Sequence, residues 1–240
     1  MPIPDVDKLL GMEVYATKTE GLGGVIKDSV DDFVVEEVLV DDSKANVSGG
    51  FPSRVLGSTV HRQRYLLCLL VKRNWDTFIA TKNVAKSLGI DPGRVQFAGI
   101  KDAKAATAQY VTLENVSMEE AVKVDVRGVQ VYPIGYIRET LSLFYLLGNN
   151  FTITIKHAEM PEPNMKECIQ QTIQELDIIG GIPNFFGHQR FGTARPITHL
   201  VGRALAQGCF EEAAMLFLAK PSPHEHPESR QARQELQETH

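Results

Sequence analysis

Residues 65–71, YLLCLLV, form an unbroken apolar run of seven residues, closed by Arg64 on one side and Lys72-Arg73 on the other. Seven residues is strand length and far too short to cross a bilayer. A strand without polar alternation must be covered on both faces, so this run predicts a central strand of a sheet. The next segment, WDTFIATKNVAKSLG, predicts a helix with Phe78, Ile79, Val84, Ala85 and Leu88 on one face. Gly89 and Pro92 stop it. VQF at 95–97 then returns as a strand, which makes a β-α-β unit. AQYVTL (108–113) and DFVVEEVLV (32–40) add β-branched and aromatic runs, and VRGVQVYPIGYI and NNFTITIK add two more. Ser117 and Glu120 form a capping box that opens a short helix at 118–124. Between the first two strands, residues 42–60 are rich in Ser and Gly and read as an ordered excursion or a mobile loop.

The texture changes near residue 160, where Pro161 and Pro163 form a break. Beyond it the pattern predicts helices at 164–179, 197–207 and 210–219, the first ended by Gly180-Gly181. Residues 228–239 could add another helix with little apolar face. The expectation is an α+β part over 1–160 and a mostly helical part over 161–240.

Charge is unevenly distributed. The chain of 240 residues has formal net charge -5, yet residues 47–110 carry ten Lys+Arg against three Asp+Glu. Arg54, Arg62, Arg64, Lys72, Arg73, Lys82, Lys86, Arg94, Lys101 and Lys104 make this a candidate phosphate-docking surface. The plain alternative is a set of solvated edges facing acidic neighbours. Cys68, Cys168 and Cys209 are odd in number and far apart, with no CxxC pair. That disfavours a zinc site or a disulfide framework and fits a reducing cytoplasm. His188, His199, His224 and His226 lack metal-ligand spacing, so no metal is expected. There is no P-loop and no GxSxG elbow. The N-terminus lacks an apolar signal core, so no membrane association is expected.

Lys101-Asp102 lies in GIKDAKAATAQ (99–109), between two predicted strands. A strand-end loop is a common place for chemistry, but the local pattern alone favours a solvated turn with Asp102 bonded to nearby backbone. NFFGHQRFG (184–192) combines aromatics, glycines and Arg190. Such groups can stack on bases or clamp phosphate, but the texture favours a helix-to-loop junction whose phenylalanines plug the core. In LLGNNFTI, Asn149 and Phe151 are two apart and share a strand face.

Together these segments resemble the tRNA pseudouridine synthase D (TruD) family. GIKDAKAATAQ looks like its GxKDxxAxTxQ motif, and NFFGHQRFG resembles NYFGxQRFG with Phe185 in place of Tyr. KDSVDDFVVEE (27–37) is similar to K-x-x-P-E-D-F-x-V-x-E, with Val30 and Asp31 replacing Pro and Glu. LLGNNFTI resembles the segment carrying the Asn-x-Phe pair. The likeness covers about residues 20–205. It implies a pseudouridine synthase fold, a mixed sheet with ferredoxin-like β-α-β units, and the start of a mostly helical inserted domain. The chain would then be the N-terminal part of a longer member. The implied reaction isomerises uridine, at position 13 for most of the family, to pseudouridine in tRNA without a cofactor. Asp102 would be the catalytic carboxylate, either attacking C1′ or handling a glycal-type species, with Lys27 as its cationic partner. Phe151 and Phe33 would flank the base, and Asn149 would hydrogen-bond near it. Gln109 would fix the loop or the substrate, Lys101 would serve as an RNA or structural contact, and Arg190 would contact phosphate or hold the junction. The alternative is a non-catalytic RNA-binding module, which needs neither Asp102 nor Lys27.

Overall fold

The computed structural model describes residues 2–52, 54–192 and 194–239. In chain order its elements are α1 (Asp5–Leu9), β1 (Phe33–Leu39), β2 (Tyr65–Arg73), α2 (Thr77–Leu88), β3 (Val95–Phe97), β4 (Ala106–Glu114), α3 (Met118–Ala121), β5 (Val129–Ile137), β6 (Leu146–Ile153), α4 (Glu162–Ile179), α5 (Thr198–Ala206), α6 (Phe210–Ala219) and α7 (Pro227–Thr239). They divide into two compact units, 23–159 and 1–22 with 160–240. The textural break near 160 falls at this division, while the first 22 residues group with the helical unit.

Residues 23–159 are built on a six-stranded sheet ordered β5-β2-β4-β1-β6, with β3 also on β4. β2 and β4 lie inside it and are buried on both faces, which is why β2 is apolar from Tyr65 to Val71, whereas β4 buries Thr107, Gln109 and Thr112 among its apolar residues. Leu66, Cys68 and Leu70 of β2 pack with Val111 and Leu113 of β4 under α2 and α3. Leu67, Leu69 and Val71 pack on the opposite side with Tyr110, Leu39, Ala45 and Val55. Ala45 and Val55 are fully buried, so the 42–60 segment is an ordered cover for that second face. Pro133 is tolerated because β5 is an edge strand, and the β2–β5 register shifts beside it.

The β-α-β unit is a split one. β2 and β3 both run antiparallel to β4, which separates them, while α2 makes the crossover. Asp76 caps α2 by accepting from the backbone N–H of Phe78 (2.8 Å) and Ile79 (3.1 Å), and Gly89 ends it with φ 66°. The buried face is Thr77, Ala80, Thr81, Val84 and Ala85. Phe78 and Ile79, expected on that face, are exposed instead. Small residues let the helix lie close to the sheet, and Phe78 turns outward to stack edge-on against Phe97 at 5.7 Å. The Ser117–Glu120 capping box forms, but its helix stops at Ala121 rather than 124.

In the helical unit, α4 ends at Gly180, whose φ is 91°. The segment preceding residue 23 bonds to α4 through Thr19–Thr172 at 2.7 Å and Lys18 N–H to Glu175 at 2.6 Å. Glu225 is buried and accepts from Arg233 at 3.0 Å. Among the described residues, no helix is long and apolar enough to cross a membrane.

Candidate active site

β1 runs parallel to β4 with Val34 opposite Ala106, and β2 is antiparallel with Arg73 opposite Ala106. β6 is antiparallel to β1, with Ile153 opposite Phe33. The starts of β1 and β4 and the ends of β2 and β6 therefore meet at one rim of the sheet. The 98–105 loop, which leads into β4, carries Asp102 to that rim.

Lys27 reaches the same place from the segment before β1. That segment is tied to the chain after β6 by a reciprocal backbone pair between Val25 and Lys156, 2.8 and 3.0 Å, and by Thr154 N–H to Asp32 at 2.8 Å. The Asp32 carboxylate accepts from the Lys156 ammonium and from both Ser29 N–H and its hydroxyl. These bonds, that of Lys156 foremost, hold its pKa down to about 2. Lys27 itself takes φ 59°, a left-handed conformation sparsely populated by residues with a Cβ. Its Nζ lies 2.5 Å from Asp102 Oδ1 and 4.0 Å from the Phe33 ring centroid. Phe151 meets Phe33 edge-to-face at 6.0 Å. Asn149 is exposed on the same face of β6 as Phe151. The side chains of Lys27 and Asp102 remain 27% and 37% exposed, so the ion pair opens to solvent beside an aromatic edge.

Beneath the loop the packing is dry. Lys101 points inward, and its Nζ is 2.6 Å from Glu37 Oε1, with side chains 2% and 0% exposed. The RNA-contact half of the expectation for Lys101 therefore fails on accessibility. Glu37 fills a specific gap. One edge of β4 is shared, with β1 pairing at 106–108 and β3 at 111–113. The Tyr110 N–H between them donates to Glu37 Oε2 at 2.8 Å. Burial pushes the Glu37 carboxyl upward, against the opposing pull of Lys101 and Tyr110. Gln109 is buried, and its Nε2 donates to the Gly99 carbonyl at 3.0 Å, bracing the loop rather than facing a substrate. Thr77 accepts from Lys101 N–H at 3.0 Å.

The basic section is thinner than its sequence suggests. Lys72 and Lys101 are buried. Arg73 pairs with Asp31, Arg64 pairs with Glu114, and Arg94 donates to the Glu114 carbonyl. Arg54, Arg62, Lys82, Lys86 and Lys104 are its exposed or partly exposed members without a carboxylate partner among the described residues.

In the helical unit, Arg190 lies on a short 3-10 turn with its guanidinium 5.4 Å from the Phe186 ring centroid. Phe185 and Phe186 are exposed, contrary to the expectation that they plug the core. His188 Nδ1 is 2.9 Å from Asp7.

Sequence reasoning gave Glu37 and Thr77 no site role and read Lys72 only as part of a phosphate-docking surface. A signal existed for Lys72, since period-two alternation puts it on the face of Leu66, Cys68 and Leu70.

The model of the family described as tRNA pseudouridine synthase D (TruD) matches residues 9–240. Curated proteins named "Probable tRNA pseudouridine synthase D" from Methanosarcina barkeri and Methanosarcina acetivorans are 36% and 38% identical over 239 residues. Each alignment covers all of this chain and 51% of the relative. A crystal structure of the "Putative tRNA pseudouridine synthase D (TruD)" from Methanosarcina mazei superposes with a TM-score of 0.80 at 35% identity, covering 100% of this chain and 51% of that one. The chain thus spans about half the length of the relatives it matches, with the same α+β fold. It belongs to the tRNA pseudouridine synthase D family.

Proposed function

We propose that the chain is the N-terminal part of a tRNA pseudouridine synthase that converts a uridine of tRNA, uridine 13 by family likeness, to pseudouridine. The observation that carries this reading is the Lys27–Asp102 pair, 2.5 Å apart against the Phe33–Phe151 edge, in a member of this family. In the reaction the C1′–N1 bond breaks, a C1′–C5 bond forms, the C5 hydrogen leaves to solvent as a proton and the freed N1 takes up a proton, so the product is an isomer of the substrate. The base becomes a C-glycoside with no net redox change. Asp102 is the reacting carboxylate. Lys27 holds Oδ1, while the other oxygen is free to meet C1′, or the 2′ hydrogen on the glycal route. A stacked uridine has to leave its helix first, and Phe151 offers a face for the detached base. Asn149 is placed to hydrogen-bond that base. Arg190 and the unpaired cations Arg54, Arg62, Lys82, Lys86 and Lys104 supply phosphate contacts. Lys101 and Gln109 act structurally. The 160–240 segment begins the family's inserted domain, and a reducing cytoplasm suits the three free thiols.

Tritium release from tRNA labelled at uridine C5 tests this reading, in this chain and in the full-length gene product. Release by the wild type that Asp102→Asn abolishes is the expected result. Undiminished release by Asp102→Asn would remove Asp102 as the reacting group. Binding of tRNA with no release by the full-length protein would make it an RNA-binding module instead.

A further inference from the structure

Lys72 stands where the sheet interior calls for an apolar side chain. It continues the Leu66, Cys68, Leu70 face of β2 and is fully buried. A lysine at a strand end ordinarily runs its stem along the surface and leaves its ammonium in water. Here the ammonium is enclosed, and among the described residues no carboxylate pairs with it. Its Nζ instead donates to the Trp75 carbonyl at 2.7 Å and the Asp102 carbonyl at 2.7 Å, with the Lys101 carbonyl at 3.4 Å. Three N–H groups thus face three main-chain oxygens, one from the turn before α2 and two from the loop that bears Asp102. This is the one hydrogen bond to the Asp102 main chain among the described residues.

An enclosed cation without a counter-ion costs stability, and leucine or methionine would fill the site without that cost. Burial pushes the Lys72 pKa down to about 8, against the pull of Asp76 and Asp102 and together with the repulsion of Lys101. What the cation provides is a fixed post under a loop that has no strand or helix of its own. We propose that Lys72 is a positioning residue for Asp102, holding the carbonyls of Lys101 and Asp102 so that the Asp102 carboxylate is presented to Lys27 and to the substrate sugar. The kinetic part of this inference rests on Asp102 being the reacting carboxylate. The loop-ordering part does not.

The test uses Lys72→Met, which keeps the stem and removes the charge and the donors. Amide hydrogen exchange over 98–106 is expected to rise about tenfold or more, while the β4 core at 108–112 stays protected. In the full-length gene product, kcat for tritium release falls about a hundredfold, as small misplacements of a reacting group do, with KM for tRNA within about threefold. A second measurement needs no substitution. The 15Nζ resonance of Lys72 is followed in the wild type from pH 7 to 9.5, beside the ratio of loop to β4 exchange rates, which cancels the common effect of base. The ratio is expected to climb with the Lys72 titration. Unchanged loop exchange in a folded Lys72→Met protein, or a ratio flat through the titration, overturns the proposal. Should Lys72→Met lose β4 protection as well, the wild-type titration decides. If Asp102→Asn retains tritium release, the functional reading fails while the loop result still stands or falls on exchange alone.

Discussion

Removing the Lys101 ammonium is the sharpest probe of how the loop is held. The pair with Glu37 is 2.6 Å long and has side chains 2% and 0% exposed. At an effective dielectric of about 20, two unit charges at that distance attract by about 6 kcal/mol, most of which offsets their desolvation. Lys101→Met deletes the attraction and leaves the desolvation of Glu37, whose remaining donor is the Tyr110 N–H. Orphaning one partner of a buried pair costs about 3–5 kcal/mol. With a urea m-value near 2 kcal/mol/M, the midpoint drops by about 2 M. Trp75 is the sole tryptophan and lies within the 23–159 unit, so its fluorescence follows that unit selectively. The charge-free double variant Lys101→Met/Glu37→Gln recovers about 2 kcal/mol or more relative to additivity. The pH dependence has a definite sign. Burial already raises the Glu37 carboxyl above its ordinary value, and Lys101 is the largest influence opposing that rise. Without Lys101 the carboxyl rises further and binds its proton more readily folded than unfolded. The stability of the variant is therefore relatively preserved at low pH and lost as pH rises through the folded pKa. The deficit against wild type is larger at pH 7.5 than at pH 5. A deficit under about 1 kcal/mol, equal deficits at both pH values, or simple additivity in the double variant would refute this account of the buried pair.

Lys27→Met removes a mostly covered cation that touches Asp102 and Phe33 but is not part of the exposed basic set, so turnover should fall by about a hundredfold while tRNA affinity changes by less than about threefold. Equal losses in binding and turnover, measured by filter binding and tritium release, would contradict the assignment. If Arg54, Arg62, Lys82, Lys86 and Lys104 dock phosphates, log K for tRNA falls linearly with log salt, and each charge removed by Lys→Gln or Arg→Gln flattens the slope by about one. A flat dependence would remove that surface from the binding model.

The strands were the most legible part of the chain, and the reason is physical. β2 is covered on both faces, so burial leaves an unbroken apolar signature that needs no knowledge of partners. The α2 caps were equally plain in Gly89 and the residues around it, but its buried face was not. Hydrophobicity favours Phe78 and Ile79, whereas the close approach of helix to sheet selects Thr77, Ala80 and Thr81. At the site, the pattern around Asp102 read locally as a solvated turn and only family likeness singled it out, since its partner is 75 residues away and Glu37 is 64 residues from Lys101. Those pairings depend on β1 lying parallel beside β4, a register no local pattern encodes. Family likeness supplied Lys27. It matched Glu37 as the last residue of KDSVDDFVVEE without marking it as a buried counter-ion, which depends on a partner 64 residues away.

Lys27, Lys72 and Lys101 show why a count of basic residues is a poor map of a binding surface. Each lies within the loop's immediate surroundings, and each has a different partner: an exposed carboxylate, main-chain carbonyls and a buried carboxylate. Their fates follow from orientation relative to the sheet. Lys72 points under α2 because strand alternation sends it there, and Lys101 is drawn into the gap between β1 and β3, where Glu37 already satisfies the Tyr110 N–H. Lys27 remains at the rim because a left-handed backbone turn lifts it over Phe33 instead of into the core. Two of the three charges are therefore committed to fixing where Asp102 sits. The third, still partly in water, is the one able to respond to a substrate. Such a division places the energetic cost of the site in its floor, which the doubly covered β2 and β4 can bear, and leaves the Lys27–Asp102 pair open to solvent beside Phe33 and Phe151, as the proposed chemistry on a nucleotide requires.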